Sequence, residues 1–267
     1  MTNYICTTCG VQYAATEITP EECKICLDDR QYVNWQGQTW TTLPEMLPKF
    51  RNEIQEVEPN VYKIQTIPRF GIGQKVHLIQ TPVGNVLWDC VTLLDEETIS
   101  TINQLGGISA IAISHPHYFA TMVNWSQAFG GVPVYLHALD QEWVMQPNSC
   151  IRFWESSTEK LLDHLQLIKC GGHFPGANVL YWPEGAESKG VLFSGDTIQV
   201  AMDRRSVSFM YSYPNMIPLN KQSILAIQEA MANIRFDRMY GAFEAHIQQN
   251  ARQALDRSIT RYLQIYE

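Results

Sequence analysis

Four cysteines near the start of the chain stand in two C-x-x-C pairs, Cys6-Thr7-Thr8-Cys9 and, after thirteen intervening residues, Cys23-Lys24-Ile25-Cys26. Each pair lets two thiolates grip one ion from the same side, and Gly10 follows the first pair where the backbone often needs a positive φ. Four sulfur ligands with no open position describe a closed structural site, so zinc at Cys6, Cys9, Cys23 and Cys26 is expected to hold the fold rather than to do chemistry. The same residues suit iron in a rubredoxin-like site; zinc is the ion expected. A piece of about thirty residues buries too little apolar surface to fold alone, so the ion's binding free energy is its folding free energy. Trp35 and Trp40 are candidates to dock it on the rest of the chain, with exposed loop tryptophans as the alternative.

A second group of donors lies downstream. Ser114-His115-Pro116-His117 follows the apolar run Ile108 to Ile113, so two imidazoles at i and i+2 leave the end of a buried strand and can point the same way. His173 sits in the glycine-rich turn Gly171-Gly172-His173-Phe174-Pro175-Gly176, and Asp196 in Ser194-Gly195-Asp196-Thr197. All four stand at strand ends, where loops fixed by a rigid sheet carry polar groups without burying them in a core. Imidazole nitrogens with a carboxylate are a ligand set that zinc, iron or manganese accepts. Three histidines with one open position would lower the pKa of a bound water toward ~7. Asp196 is then either the fourth ligand or the general base. Tyr118 is a candidate donor to an oxyanion, with plain packing and a solvated hydroxyl as its alternative. His77, His137 and His164 lie in or beside strands and read as structural, while Cys90, Cys150 and Cys170 lack a C-x-x-C partner and read as small buried hydrophobes.

The elements that must position these residues follow from periodicity. Val61 to Ile67, Lys75 to Thr81 and Asn85 to Asp89 read as an antiparallel meander with a turn at Pro82-Val83-Gly84. Asp95 caps a helix carrying Ile99, Ile102 and Leu105, which Gly106-Gly107 ends. After the buried strand 108–113 come a helix from about Tyr118 to Phe129 and a strand Val132 to Leu136. A second strand set follows at Leu165 to Cys170, Asn178 to Trp182 and Gly190 to Phe193. Helices near Ser223 to Asn233 and from about Ile247 to Leu263 close the chain. The order suits an α+β fold, two sheets with helices outside them in a four-layer αββα sandwich.

From about residue 60 to 264 the chain resembles the metallo-β-lactamase-fold hydrolase superfamily. The resemblance rests on His115 and His117 after a buried strand, His173 between glycines, Asp196 in a G-D-T turn, and the earlier Val86-Leu87-Trp88-Asp89, which is similar to the superfamily's strand ending in aspartate. It implies that Asp196 occupies the place of the carboxylate that normally bridges two metals. The signature H-x-H-x-D-H departs here, since its Asp and last His fall on Phe119 and Ala120, neither of which ligates a metal. A mononuclear site is the consequence. The superfamily's final histidine is expected near Gly241-Ala242-Phe243-Glu244-Ala245-His246, where His246, Glu244 or neither reaches the metal. The expected organisation is residues 1–45 as a zinc-ribbon-like Cys₄ segment and linker, and 46–267 as the metallo-β-lactamase-like domain.

Composition sets the remaining bounds. The chain has 267 residues, 45% hydrophobic and 17% charged, enough for a sizeable core. A formal charge of −8 argues against nucleic acid, whose binding rests on Lys and Arg replacing counterions. No apolar run approaches the ~18 residues of a membrane span, no charged-then-apolar leader opens the chain, and an odd seven cysteines suit a reducing compartment, so a cytoplasmic protein off the membrane is expected. The expected activity is metal-dependent hydrolysis of a small-molecule ester, thioester, lactone or related substrate by metal-bound hydroxide, with a homodimer as an admissible assembly. The competing expectation is a catalytically inactive scaffold that uses the zinc knuckle as a contact surface. An iron enzyme handling oxygen or sulfur is a third, weakened by the carboxylate missing at position 119.

Overall fold

Short runs rich in β-branched and other apolar residues between positions 51 and 88 fold into four consecutive antiparallel strands, β1 (Arg51–Glu58), β2 (Val61–Ile67), β3 (Val76–Thr81) and β4 (Gly84–Trp88). The computed structural model describes residues 1–267. Two compact units make up the chain, Met1–Leu136 with Gln141–Phe153, and His137–Asp140 with Trp154–Glu267.

In the first unit the meander continues into β5 (Ala110–Ala112) and β6 (Val134–His137), both parallel, and β7 (Ile151–Trp154) completes a seven-stranded sheet. The parallel strands need crossovers, which helices supply. The first is α1 (Glu96–Gln104), whose cap Asp95 accepts the Thr98 N–H at 2.7 Å and whose first turn carries Glu96 and Glu97, complementing the helix dipole. Gly106 and Gly107 end it with φ of +103° and +75°. The second crossover is shorter than the periodicity predicts. A 3₁₀ turn at Pro116–Tyr118 is separated from α2 (Met122–Ala128) by Ala120, whose φ of +43° no continuous right-handed helix can contain.

The amino-terminal segment belongs to this unit. Strand pair Ile5–Cys6 with Trp40–Thr41 closes it, and Ile5 packs with Met46 and Leu93, flanked by Phe50 and Phe70. Trp40 lies edge-on to Tyr13 at 5.0 Å, whereas Trp35 is fully exposed and docks nothing.

In the second unit β8 (Thr158–Leu161), β9 (Leu165–Lys169), β10 (Asn178–Trp182) and β11 (Val191–Phe193) form an antiparallel run. After the short strand β12 (Met210–Ser212), α3 (Lys221–Ala230) leads to β13 (Arg238–Tyr240), parallel to β11, and β14 (His246–Ile247) closes the six-stranded sheet. The closing helix α4 (Ala251–Leu263) buries Ala251, Ala254, Leu255, Ser258 and Ile259, a stripe at i, i+3, i+4, i+7 and i+8 that joins a core with Ile224, Ile227, Leu192 and Met239. It starts later than its apolar spacing predicts because His246–Ile247 pairs with β13 instead, and Asn250, at φ +59°, turns the chain between strand and helix. No helix is long and apolar enough to cross a membrane. The fold class is mixed α+β with a sheet in each unit, as expected.

Candidate metal centres

The four cysteine sulfurs come together. Cys6 and Cys26 lie 3.6 Å apart and Cys9 and Cys23 3.7 Å apart, close to the ~3.8 Å that tetrahedral bonds of ~2.3 Å impose on sulfur ligands. All four are buried, and their sulfurs lie within 4.8 Å of one another. The first C-x-x-C turn is closed by Gly10 N–H donating to the Cys6 carbonyl at 2.8 Å, with Gly10 at φ +83°. Gln38, which sequence spacing did not single out, donates its amide to Cys6 Sγ at 3.2 Å. Such a donor stabilises thiolate over thiol. The donor set fits a structural Zn²⁺.

The other donors are built from strand ends. Asp89, just beyond β4 at φ +64°, is buried, and its carboxylate accepts the Ser114 N–H at 2.7 Å, fixing the end of β5 from which the two histidines leave. The Ser114 hydroxyl meets His115 Nδ1 at 2.8 Å, a contact that fixes the ring's orientation. The His115 and His117 rings stand 5.1 Å apart, and Tyr118 packs edge-on to His115 at 4.3 Å. Tyr118 is fully buried, so the reading with its hydroxyl on solvent does not hold. Phe119 and Ala120 are buried as well.

His173 Nδ1 lies 3.1 Å from the carbonyl of Met210 in β12, which fixes that ring as well. Its loop is pinned at Gly176, whose N–H donates to Asp140 at 2.8 Å and where a Cβ would come 2.8 Å from the Asp140 carboxyl. Asp196 follows Gly195, at φ +54°, and its backbone carbonyl accepts the Tyr213 hydroxyl at 2.8 Å. Met210 and Tyr213 therefore hold both residues from one short segment, and no local spacing in the sequence announces it. His115, His117, His173 and Asp196 each offer one ligand atom, these atoms lie within 4.8 Å of one another, and all four residues are buried. Three imidazoles and a carboxylate fit zinc, iron or manganese. His246 and Glu244 are outside this group; His246 stacks on Tyr240 with the Gln248 amide 3.2 Å from its Nε2, and Glu244 is exposed. Burial pushes the Cys90 thiol well up and that of Cys170 to about 12, so neither serves as a nucleophile at neutral pH.

No model of a known protein family matches the chain. The uncharacterized protein YmaE of Bacillus subtilis (strain 168) is 49% identical over 265 residues, covering 98% of this chain and 96% of that one. Among solved structures, DIM-1 metallo-beta-lactamase superposes with a TM-score of 0.60 at 15% identity over 79% of this chain and 96% of its own. VMB-1 does so with 0.59 at 14% over 81% and 99%. TTHA1623 in a di-iron-bound form gives 0.50 at 24% over 66% and 89%. These structures share the fold that the histidine and aspartate motifs point to, and by its near full-length likeness to YmaE the chain belongs to that protein's family, built here on the metallo-β-lactamase fold.

Proposed function

We propose that the protein is a metal-dependent hydrolase with a single ion held by His115, His117 and His173, with Asp196 beside it as general base, and with a structural zinc on Cys6, Cys9, Cys23 and Cys26. Four ligand atoms of suitable chemistry within 4.8 Å of one another carry the proposal. The named activity of DIM-1, a metallo-beta-lactamase, supports the hydrolase reading, and TTHA1623, bound to two irons, supports metal binding on this fold without bearing on the number of ions. When bound, the ion supplies Lewis acidity and brings the pKa of water toward ~7. The residues do the rest. The Ser114 hydroxyl and the Met210 carbonyl fix the ring orientations of His115 and His173, and the packed ring of Tyr118 holds His115 from the side. Asp196, its backbone held by Tyr213, accepts the proton that water loses, the task for which Phe119 has no group. The substrate class proposed is a small ester, thioester or lactone, attacked at its carbonyl.

Metal analysis of the full chain should give about two equivalents, one lost with Cys6→Ser and Cys9→Ser and the other with His115→Ala and His117→Ala. A single equivalent insensitive to the histidine changes would sink the proposal. Turnover of an ester, thioester and lactone panel with Zn²⁺, Mn²⁺ or Fe²⁺ supplied should vanish in His173→Ala.

The buried Phe119 and Ala120 favour a second reading, an inert scaffold whose zinc knuckle is a contact surface. Absence of turnover across that panel, with the histidine metal in place, would select it.

A further inference from the structure

The cysteine knuckle does more than hang from the sheet. Its residues just after Cys9 bond to the segment that follows the two histidines. The Gln12 N–H donates to the Ala120 carbonyl at 3.0 Å. The Thr92 hydroxyl donates to the Gly10 carbonyl at 2.9 Å, and the Thr121 hydroxyl donates to the Thr92 carbonyl at 2.8 Å. Knuckle, loop 91–92 and residues 120–121 thus brace one another through three hydrogen bonds, with Thr92, Thr121 and Ala120 all buried. The fit leaves no slack, since a Cβ on Gly10 would meet Thr92 Oγ1 at 2.3 Å and one on Gly71 would meet the Gly10 nitrogen at 3.2 Å.

Ala120 is the reason this brace matters. At φ +43° it holds a left-handed conformation that a residue with a Cβ keeps only where its surroundings impose it. That conformation ends the 3₁₀ turn Pro116–Tyr118, which carries His117 and sets Tyr118 against His115. Removing the support of the Ala120 carbonyl frees the turn to relax toward ordinary helix, taking His117 with it.

We propose that Gly10, Gln12 and Thr92 are positioning residues for the histidine pair, so that the ion on the four cysteines sets the affinity for the ion at His115 and His117. The inference rests on the hydrolase proposal for the second ion and adds a direction to it: thiol oxidation or chelation at the knuckle loosens a loop that contains none of the cysteines. Linkage makes the effect reciprocal, so binding at the histidines equally tightens the knuckle.

The test uses the full chain with Zn²⁺ and two readouts, affinity at the histidines by competition with a chromophoric chelator and amide hydrogen exchange of residues 114–121. Thr92→Val deletes the hydroxyl at nearly constant volume, and Thr92→Ser restores it. Thr92→Val is expected to weaken the histidine site about threefold to tenfold, the range one hydrogen bond commands, and to speed exchange of 114–121, with Thr92→Ser returning both to wild type. Cys6→Ser with Cys9→Ser should do the same more strongly. Unchanged affinity and exchange in Thr92→Val overturns the inference, and equal losses in Thr92→Val and Thr92→Ser do so too, since a general loss of packing would not distinguish the two. If wild type holds zinc at the cysteines alone, the hydrolase proposal falls and the coupling of affinities with it, while unchanged exchange of 114–121 between loaded and stripped knuckle overturns the bracing itself.

Discussion

His137 is a buried imidazole outside both metal groups, with its ring 4.5 Å from that of Trp154 and its Nδ1 accepting the Leu139 N–H at 3.2 Å. Burial lowers its pKa from the ordinary 6.5, against a smaller opposing pull from the Ser156 backbone. The sign of the pH effect follows. As pH falls through 6.5 the unfolded chain takes up a proton that the folded chain refuses, so stability declines on acidification by up to about 1.4 kcal/mol per pH unit while the group titrates. His137→Asn keeps an acceptor for Leu139 and removes the titration. Urea midpoints measured from pH 8 to 5 should fall less steeply in this variant than in wild type, and parallel curves would show that His137 does not carry the sensitivity. Residues of this kind mark what was legible in the sequence. The cysteine pairs and the histidine pair could be read because their donors are close in sequence or stand at recognisable strand ends. Thr92, Gln12, Met210 and Tyr213 could not, because each acts through backbone carbonyls or amides far along the chain, and those groups have no spelling.

Among the elements, β2 matches its expected bounds residue for residue and β3, β4 and α1 lie within a few residues of theirs, since short runs rich in β-branched residues between turn signals, and a helix with a cap and a glycine stop, are legible from sequence. Strand β1 escapes that logic. Arg51–Glu58 is a charged edge strand with an exposed alternation, and its partner β2 rather than an apolar face holds it in place. Strand β14 was hidden by Ile247, whose spacing to Ala251 and Leu255 imitates a helix although its backbone belongs to the sheet. Helix α4 is the element on which the second unit's core depends, because Leu255 is fully buried among residues from the sheet and α3, and the Tyr262 hydroxyl donates to the Phe209 carbonyl at 2.6 Å, one residue before β12. Leu255→Ala should cost about 2–5 kcal/mol of stability by leaving a cavity. Tyr262→Phe should cost about 1 kcal/mol, the net worth of one hydrogen bond. Denaturant titration separates the two, and a Leu255→Ala loss below that of Tyr262→Phe would mean that the helix is held chiefly by its polar tether.

For the molecule as a whole, the proposal of an ion at each donor group predicts that stability is a function of free metal. An unfolded chain cannot gather three imidazoles and a carboxylate, or four thiolates twenty residues apart, with native affinity, so each ion stabilises the folded state by RT ln(1 + [L]/Kd), about 4.1 kcal/mol when free metal is a thousandfold above Kd. For a chain of this size each kcal/mol moves the melting temperature by roughly 2–4 °C, so stripping one such site should lower it by roughly 8–16 °C. Calorimetry with and without a strong chelator is the measurement. Wild type should show the largest drop, His115→Ala with His117→Ala should retain only the cysteine share, and Cys6→Ser with Cys9→Ser only the histidine share. If the two shares sum to the wild-type drop, the ions act independently and the bracing of Ala120 by the knuckle carries no energy. A wild-type drop larger than the sum measures the coupling directly, because neither single-site variant can report an interaction that needs both ions bound.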